Sequence, residues 1–359
     1  MGTKANIFRL LSIAYMKKNK LGTSDLEVSR ICLGTMTWGE QNNQDEAFAQ
    51  MEYALEKGIN FFDTAEMYSI PGNKKTAGST EKIIGNWLEE TGNRENIILS
   101  TKVIGKGVSH IRNGSDFSKD QINKAIDGSL KRLKTDSVDL YHLHWPERAN
   151  NRFGKRTYPW EENVNWKNNF MSIIETMNEL LESGKIKNWA LSNETAWGMM
   201  KFNQLCNQFG VQGPVSTQNS YSLLNRQFEY GASEVCQFEG MGLMAYSPLA
   251  FGTLTGKYLD NSKPKGARLT QFPIFGRYLN PQATKAVQAF QDLGAKNGLS
   301  VTELALAFVN AQPFVDTTII GATKMSQLEE NIESVYIELP PTLMQEIEEI
   351  FNTYPDAAV

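Results

Sequence analysis

Three predicted strands in this chain each end on a residue that can take part in acid–base chemistry, namely Asp63, Lys102 and His144. Lys102 follows Asp63 by 39 residues and His144 follows Lys102 by 42, which is about one strand-plus-helix repeat. All strands of a closed parallel barrel end at one mouth, so these side chains are expected to meet there, with Tyr68 beside them. The spacing therefore predicts a catalytic site.

A carboxylate, an ammonium group and a phenol placed together can make the phenol a proton donor. Lys102 beside Tyr68 would favour the phenolate and lower a pKa that is ordinarily about 10, while Asp63 would keep Lys102 charged. Tyr68 would then be a general acid, and a neutral His144 would hydrogen-bond a substrate carbonyl oxygen and stabilise the alkoxide that forms. Each strand-end residue alone is more often part of a structural ion pair, but four at matching positions favour catalysis.

His142 and His144 also form an H-x-H pair, which could begin a metal site. His110 is the only other histidine in the chain, so any metal would need carboxylates for its remaining ligands. The sequence therefore favours a site without metal. Trp145 and Pro146 end the strand, which places His144 nearer the mouth and His142 in the barrel interior.

The composition is that of an ordinary globular protein, with 359 residues of which 41% are hydrophobic and 21% charged. The formal net charge is −4 and the acids and bases are interspersed, so no basic surface for nucleic acid is expected. No apolar run is long enough to span a membrane. The three cysteines form no C-x-x-C pair, which favours a reducing compartment and hence a cytoplasmic location.

To bring the strand ends together, the chain needs a parallel sheet that closes on itself. From Lys20 onward, short apolar and β-branched runs alternate with longer stretches of helical period, a pattern typical of α/β proteins. Helices are expected between the strands, for example over 45–56 and 118–133. Eight strand candidates predict a (β/α)8 TIM barrel. They span residues 31–36, 61–64, 97–102, 138–143, 186–191, 215–218, 243–246 and 317–320.

Four segments fall outside this repeat. Residues 1–19 are basic and predict an N-terminal extension, either disordered or a short helix, ahead of one barrel domain over 20–359. Residues 21–28 carry turn residues between two extended pieces, and they predict a hairpin that closes the bottom of the barrel. Residues 147–169 and 250–280 form long loops after the fourth and seventh strands, and both are expected at the active mouth.

A phosphate site is predicted where the last strand leads into a helix, over residues 318–324. The first backbone N–H groups of that helix would face a phosphate, and Lys324 would add a cation. An ordinary helix start with Thr323 as its N-cap explains the segment equally well on its own. No Rossmann fingerprint competes with this site, because the only G-x-G-x-x-A match, at Gly240, precedes a strand.

With these residues in view, the chain resembles the aldo-keto reductases, in particular their bacterial Tas-like branch, from about residue 20 to 354. The resemblance implies the same barrel fold and a nicotinamide cofactor. The motifs that carry it are Leu21-Gly22-Thr23-Ser24-Asp25-Leu26-Glu27-Val28-Ser29, Asp63-Thr64-Ala65-Glu66-Met67-Tyr68, Leu99-Ser100-Thr101-Lys102, His144-Trp145-Pro146, Leu191-Ser192-Asn193-Glu194-Thr195, Tyr221-Ser222-Leu223-Leu224-Asn225-Arg226 and Ala245-Tyr246-Ser247-Pro248-Leu249.

The resemblance assigns roles residue by residue. The family's catalytic tetrad corresponds to Asp63, Tyr68, Lys102 and His144, with Tyr68 as the proton donor. A nicotinamide ring is expected to stack on Tyr246. The implied cofactor contacts are Ser192, Asn193 and Gln218 for the carboxamide, Ser247, Leu249, Gly252, Leu254 and Lys257 for the pyrophosphate, and Gly321, Thr323, Lys324, Gln327, Glu330 and Asn331 for the adenosine end.

The implied activity is the reduction of aldehydes or ketones with NADP(H), in a pocket walled by Trp38, Met67, Trp145 and aromatic residues of the two long loops. Gln327 stands where many NADP-selective members have Arg, so selectivity for the 2′-phosphate would depend mainly on Lys324. An alternative is a reductase-like regulatory protein that senses the cofactor or binds a partner and has only vestigial turnover, because binding and catalysis would use the same pocket.

Overall fold

In the computed structural model, which describes residues 8–9, 15–160, 162 and 168–359, eight parallel strands close into a barrel. The barrel strands follow chain order from β4 to β11, and β11 pairs with β4 to complete the ring. The strands are β1 Phe8–Arg9, β2 Lys18–Lys20, β3 Glu27–Ser29, β4 Ile31–Gly34, β5 Phe61–Asp63, β6 Ile98–Val103, β7 Leu140–Leu143, β8 Trp189–Ser192, β9 Ser216–Ser220, β10 Gly242–Tyr246, β11 Val315–Ile320 and β12 Ile337–Glu338.

Helices surround the barrel and cover its apolar outer face, so the predicted (β/α)8 architecture is confirmed. Local signals set their ends: Asn43 and Glu46 form a capping box at the start of α1, for example. The helices are α1 Gln44–Glu56, α2 Ser79–Thr91, α3 Lys119–Leu133, α4 Phe170–Glu182, α5 Ala196–Phe209, α6 Ala232–Glu239, α7 Arg268–Gln271, α8 Pro281–Lys296, α9 Val301–Asn310, α10 Met325–Glu333 and α11 Pro341–Thr353.

All eight predicted barrel strands are present, with shifted ends. The fifth was predicted over 186–191, but β8 begins at Trp189. Ile186 instead forms a single isolated bridge with Val138, so the two segments touch before the continuous ladder of β7 and β8 begins. Lys187 is exposed and Asn188 is half-buried, whereas all four residues of β8 are buried.

The predicted hairpin lies at the bottom of the barrel. Strands β2 and β3 pair antiparallel, and Leu21 and Val28 are fully buried against Phe61 and other interior residues. Gly22 has a φ of 49°, and a Cβ there would come within 1.8 Å of the Val215 carbonyl oxygen, so only glycine permits this approach. The hairpin therefore fills the end of the barrel opposite the carboxyl ends of the strands.

The N-terminal extension over residues 1–19 stays a prediction, because most of it lies outside the described residues. The parts that are described are extended: β1 pairs antiparallel with β12, and β2 begins at Lys18. Within the described part of the chain, no helix is both long enough and apolar enough to cross a membrane.

Candidate active site

The four tetrad residues come together at the carboxyl ends of β5, β6 and β7. Lys102 is fully buried, and its Nζ donates to Asp63 Oδ2 at 2.6 Å and to the Thr64 carbonyl oxygen at 2.7 Å. The same Nζ lies 5.1 Å from the centre of the Tyr68 ring. The ring of His144 meets the ring of Tyr68 edge to face, with 5.8 Å between their centres. The predicted cluster is therefore present in the structure.

The expected lowering of the Tyr68 pKa by Lys102 is wrong in this structure. Enclosure in the cleft raises the pKa of Tyr68, and the Asp63 carboxylate raises it further, whereas only Arg268 acts in the opposite direction. The positive charge of Lys102 is offset by Asp63, with which it forms a salt bridge, so little of it acts on the phenol. Tyr68 consequently keeps its proton at neutral pH, which is the state that a proton donor needs.

His144 is placed to contact a carbonyl oxygen as a neutral imidazole. Burial lowers its pKa well below the usual value, and the nearby Lys102 ammonium adds to this effect. His142, one layer deeper, is fully buried and also has a pKa lowered by burial and Lys102, to about 3. His142 is therefore an interior residue, as predicted from its position in the strand.

This environment predicts a pH profile. Because the depressed pKa keeps His144 neutral on both sides of the ordinary histidine value of about 6.5, we expect kcat/KM for carbonyl reduction to stay constant between about pH 6 and 8. Initial rates at saturating cofactor in buffers of constant ionic strength measure this profile. A break between pH 6 and 7 that disappears in His144→Gln would contradict the neutral state proposed for His144.

Asp63 has two further donors besides Lys102. Ser100 Oγ donates to its Oδ1 at 2.5 Å, and Gln218 Nε2 donates to the same oxygen at 3.0 Å. Gln218 was predicted as a carboxamide contact, and it also lines the cleft. One side chain thus connects the predicted cofactor position with the buried carboxylate of the tetrad.

Asn193 connects the histidine to the predicted stacking residue Tyr246. Its Nδ2 donates to the His144 carbonyl oxygen at 2.9 Å, and its Oδ1 accepts from the Tyr246 hydroxyl at 2.6 Å. The backbone of Asn193 is left-handed, with φ of 54°, a conformation that Asn tolerates better than most residues. Ser192 donates its hydroxyl to the Gln218 carbonyl oxygen at 2.9 Å. The polar groups at the ends of β8, β9 and β10 are therefore held in place before any ligand binds.

A cleft of about 750 Å³ runs over the barrel mouth, within the range of small-molecule sites. Asp63, Tyr68 and His144 line it at one end, and Met67 and Trp145 lie beside them as predicted. The predicted cofactor residues that line the cleft are Ser192, Asn193, Gln218, Tyr246, Ser247, Leu249, Gly252, Lys257, Gly321, Thr323, Lys324, Gln327, Glu330 and Asn331.

Three cations line this cleft close to one another: Lys257, Lys324 and Arg268. Burial lowers the pKa of Lys257, the positive charges of Arg268 and Lys324 lower it further, and the Glu330 carboxylate acts in the opposite direction. None of the three belongs to an ion pair among the described residues. A group of like charges that outnumbers the nearby carboxylate is suited to an anionic ligand such as a phosphate.

Two predicted site residues lie elsewhere. Trp38 is fully buried on the outside of the barrel, where its Nε1 donates to Gln50 Oε1 at 3.1 Å, so it does not line the cleft. Leu254 is also fully buried in the hydrophobic core. The start of α10 differs too: its N-cap is Lys324 rather than Thr323, whose hydroxyl bonds Gln327 Oε1 instead.

Some residues of the cleft were not expected, among them Arg268, Ile274 and Arg277, all from the long loop over 250–280, in which only Gly252, Leu254 and Lys257 had been assigned contacts. Phe275 of the same loop and Phe153 of the other long loop are aromatic residues of the kind expected at the pocket wall. The clustering of Arg, Lys and aromatic residues in these loops was the available signal. Among the described residues, no group of three His, Cys, Asp or Glu side chains is arranged to hold a metal.

Known proteins are similar in sequence to this chain along almost its entire length. The model of the aldo/keto reductase family matches residues 30–352. Protein Tas of Escherichia coli strain K12 is 46% identical over 345 residues, covering 94% of this chain and 99% of Tas. The uncharacterized oxidoreductase YrpG of Bacillus subtilis is 34% identical, covering 94% and 96% of the two chains. A probable voltage-gated potassium channel subunit beta of rice is 30% identical, covering 95% and 98%.

Proposed function

Because the chain belongs to the aldo/keto reductase family and is therefore an oxidoreductase, we propose that it reduces aldehydes or ketones to alcohols with NADPH. The resemblance to the Tas-like branch is confirmed by the same matches. The observation that carries the proposal is a single cleft that contains both a tetrad with a protonated Tyr68 and three cations that form no ion pair among the described residues.

The cleft fits a dinucleotide phosphate. Tyr246 and the amides of Asn193 and Gln218 lie near the tetrad, where a nicotinamide ring would be needed. Lys257 lies near Arg268 and Lys324 in the same cleft, and these cations would hold phosphate groups. A bound NADPH supplies the hydride. The chain's own residues then orient the substrate oxygen and provide the proton.

In this mechanism His144 donates a hydrogen bond to the carbonyl oxygen, and Tyr68 transfers its phenolic proton to the same oxygen as negative charge develops there. Arg268 is the cation whose charge lowers the pKa of Tyr68, so it favours the tyrosinate that remains, while Lys102 Nζ packs 5.1 Å from the centre of the ring. Asp63 keeps Lys102 oriented through the 2.6 Å salt bridge. A strongly basic alkoxide can take a proton even from a phenol whose pKa is raised.

The proposal is tested by following oxidation of NADPH and NADH by the purified protein with a panel of reactive aldehydes and diketones, and by measuring cofactor binding through protein fluorescence in parallel. Turnover with NADPH well above NADH supports the proposal. Tight NADPH binding without turnover would favour a regulatory role instead. No binding of either cofactor would contradict both functions.

Selectivity for NADPH provides a sharper prediction. Lys324 is exposed beside the cleft, and a charge-assisted contact to the 2′-phosphate is worth roughly 1.5–3 kcal/mol, or about tenfold to a hundredfold in affinity. We therefore expect Lys324→Met to raise the Kd for NADPH by that factor and to leave the Kd for NADH unchanged. Lys285→Met, which removes an exposed charge on α8, is the matched control. Equal loss for both cofactors would assign Lys324 to a phosphate that they share.

The regulatory alternative has one observation in its favour, the similarity to proteins named as potassium channel beta subunits. The intact tetrad and the neutral His144 favour catalysis. The proposal also places the reaction in the cytoplasm, since Cys32, Cys206 and Cys236 are buried free thiols, as expected in a reducing compartment.

A further inference from the structure

Arg277 is an uncompensated cation on the substrate side of the cleft. It lines the cleft together with Phe153 and Trp145, and it belongs to no ion pair among residues 15–160, 162 and 168–359. Arg152, which also contacts the Phe153 ring, is likewise without an ion pair among the described residues but does not line this cleft, whereas Arg148 is paired with Glu194 and Arg226 with Glu229. A partly buried guanidinium without a carboxylate partner keeps its charge available for a ligand.

The position of Arg277 is fixed by aromatic neighbours. Its guanidinium lies 4.7 Å from the ring centre of Tyr278, and its Nη2 donates to the Tyr278 hydroxyl at 2.7 Å. Its positive charge also acts on the nearby Tyr246 hydroxyl, where it opposes the rise in pKa that burial causes. The hydrogen bond to Tyr278 uses one of the five N–H donors of a guanidinium, so donors remain for a ligand. Because the side chain is already ordered, little conformational entropy would be lost on binding.

A continuous row of rings leads from the reacting position to this cation. The ring centres of His144 and Trp145 are 5.0 Å apart, and those of Trp145 and Phe153 are 6.4 Å apart. The Arg277 guanidinium then lies 5.8 Å from the Phe153 ring centre. Phe153 is 51% exposed, which is unusual for so large an apolar side chain and leaves its ring open to a ligand.

From this arrangement we propose that the preferred substrates are carbonyl compounds that carry a carboxylate at the end remote from the reacting carbonyl. The carbonyl group would lie at Tyr68 and His144, the body of the molecule would contact Trp145 and Phe153, and the carboxylate would bind Arg277. The planar guanidinium can pair with a carboxylate through two parallel hydrogen bonds. This inference rests on the proposed carbonyl reduction and adds the substrate class to it.

A matched pair of substrates tests the inference: 4-carboxybenzaldehyde and its methyl ester, each with NADPH. We expect the wild-type kcat/KM to be at least tenfold higher for the carboxylate, and the preference to weaken as salt is added. The ester group withdraws electrons more strongly and makes its aldehyde more reactive, so intrinsic reactivity cannot produce this preference.

Variants of Arg277 identify the residue responsible. Arg277→Met should abolish the preference by lowering kcat/KM for the carboxylate while changing the value for the ester less than threefold. Arg277→Lys should retain part of the preference, because it keeps the charge. Lys285→Met changes the net charge equally at a distance from the cleft, and it should leave both substrates unaffected.

The other outcomes separate the two proposals. Equal kcat/KM for both substrates in the wild type would overturn the inference. So would an Arg277→Met variant in which kcat/KM falls by the same factor for both substrates, since Arg277 would then act through Tyr246 or the cofactor. Reduction of simple aldehydes but of neither probe would overturn the inference and leave the proposed function standing. No reduction of any aldehyde would refute the proposed function and with it this substrate class.

Discussion

Replacing Tyr68 with Phe is expected to reduce the rate of carbonyl reduction by roughly 10²–10⁴-fold, the range that general acid catalysis contributes. The hydroxyl is the only group removed, and Phe retains the ring that lies 5.1 Å from Lys102 Nζ and packs against His144. Because the pKa of Tyr68 is raised, the wild-type hydroxyl is protonated throughout the neutral range. Single-turnover rates with saturating NADPH measure the effect on the chemical step directly.

Cofactor binding distinguishes a lost proton donor from a damaged site. Tyr68→Phe should bind NADPH with a Kd within about threefold of wild type, since the phenol is not among the expected phosphate or carboxamide contacts. Tyr246→Phe is a matched control: it removes a hydroxyl that bonds Asn193 Oδ1 at 2.6 Å, so it should weaken cofactor binding more than it slows proton transfer. Unchanged turnover in Tyr68→Phe would assign the proton donor to another group.

The barrel and most of the site could be predicted because each depends on local sequence signals combined with one topological rule. Asp63, Lys102 and His144 stand at strand ends, and parallel pairing around a closed sheet brings those ends together wherever the intervening helices lie. The long-range hydrogen bonds of the tetrad follow from that placement. The cofactor contacts came from the family motifs, which occur in the same places along the barrel.

Residues whose position depends on tertiary packing could not be predicted in this way. Trp38 follows β4 directly and was expected at the pocket wall, but a partner on α1, Gln50, draws its indole to the outside of the barrel. Arg268 and Arg277 lie in a loop without regular periodicity, so nothing local indicates which way their side chains point. The pKa of Tyr68 was predicted in the wrong direction because it is raised mainly by burial and then by the Asp63 carboxylate, and the burial of a side chain depends on tertiary packing.

The buried salt bridge between Lys102 and Asp63 predicts the largest effect on stability. Their side chains are 0% and 3% exposed, so removing one partner leaves a charge buried without its counter-ion. We expect Lys102→Met to lower the free energy of unfolding by roughly 3–5 kcal/mol, the cost typical of breaking such a pair. Asp63 would retain its hydrogen bonds from Ser100 and Gln218, but these neutral donors do not replace the ammonium. Urea denaturation of both proteins measures the difference.

A double-mutant cycle shows whether this loss comes from the pair or from packing. Lys102→Met combined with Asp63→Asn removes both charges, and we expect the double variant to be more stable than the sum of the two single changes predicts, with a coupling energy of roughly 0.5–3 kcal/mol. All three variants should lose carbonyl reduction, because each removes part of the tetrad. Additive effects on stability would show that the two charges do not depend on each other, and Lys102 would then be held mainly by its 2.7 Å hydrogen bond to the Thr64 carbonyl oxygen.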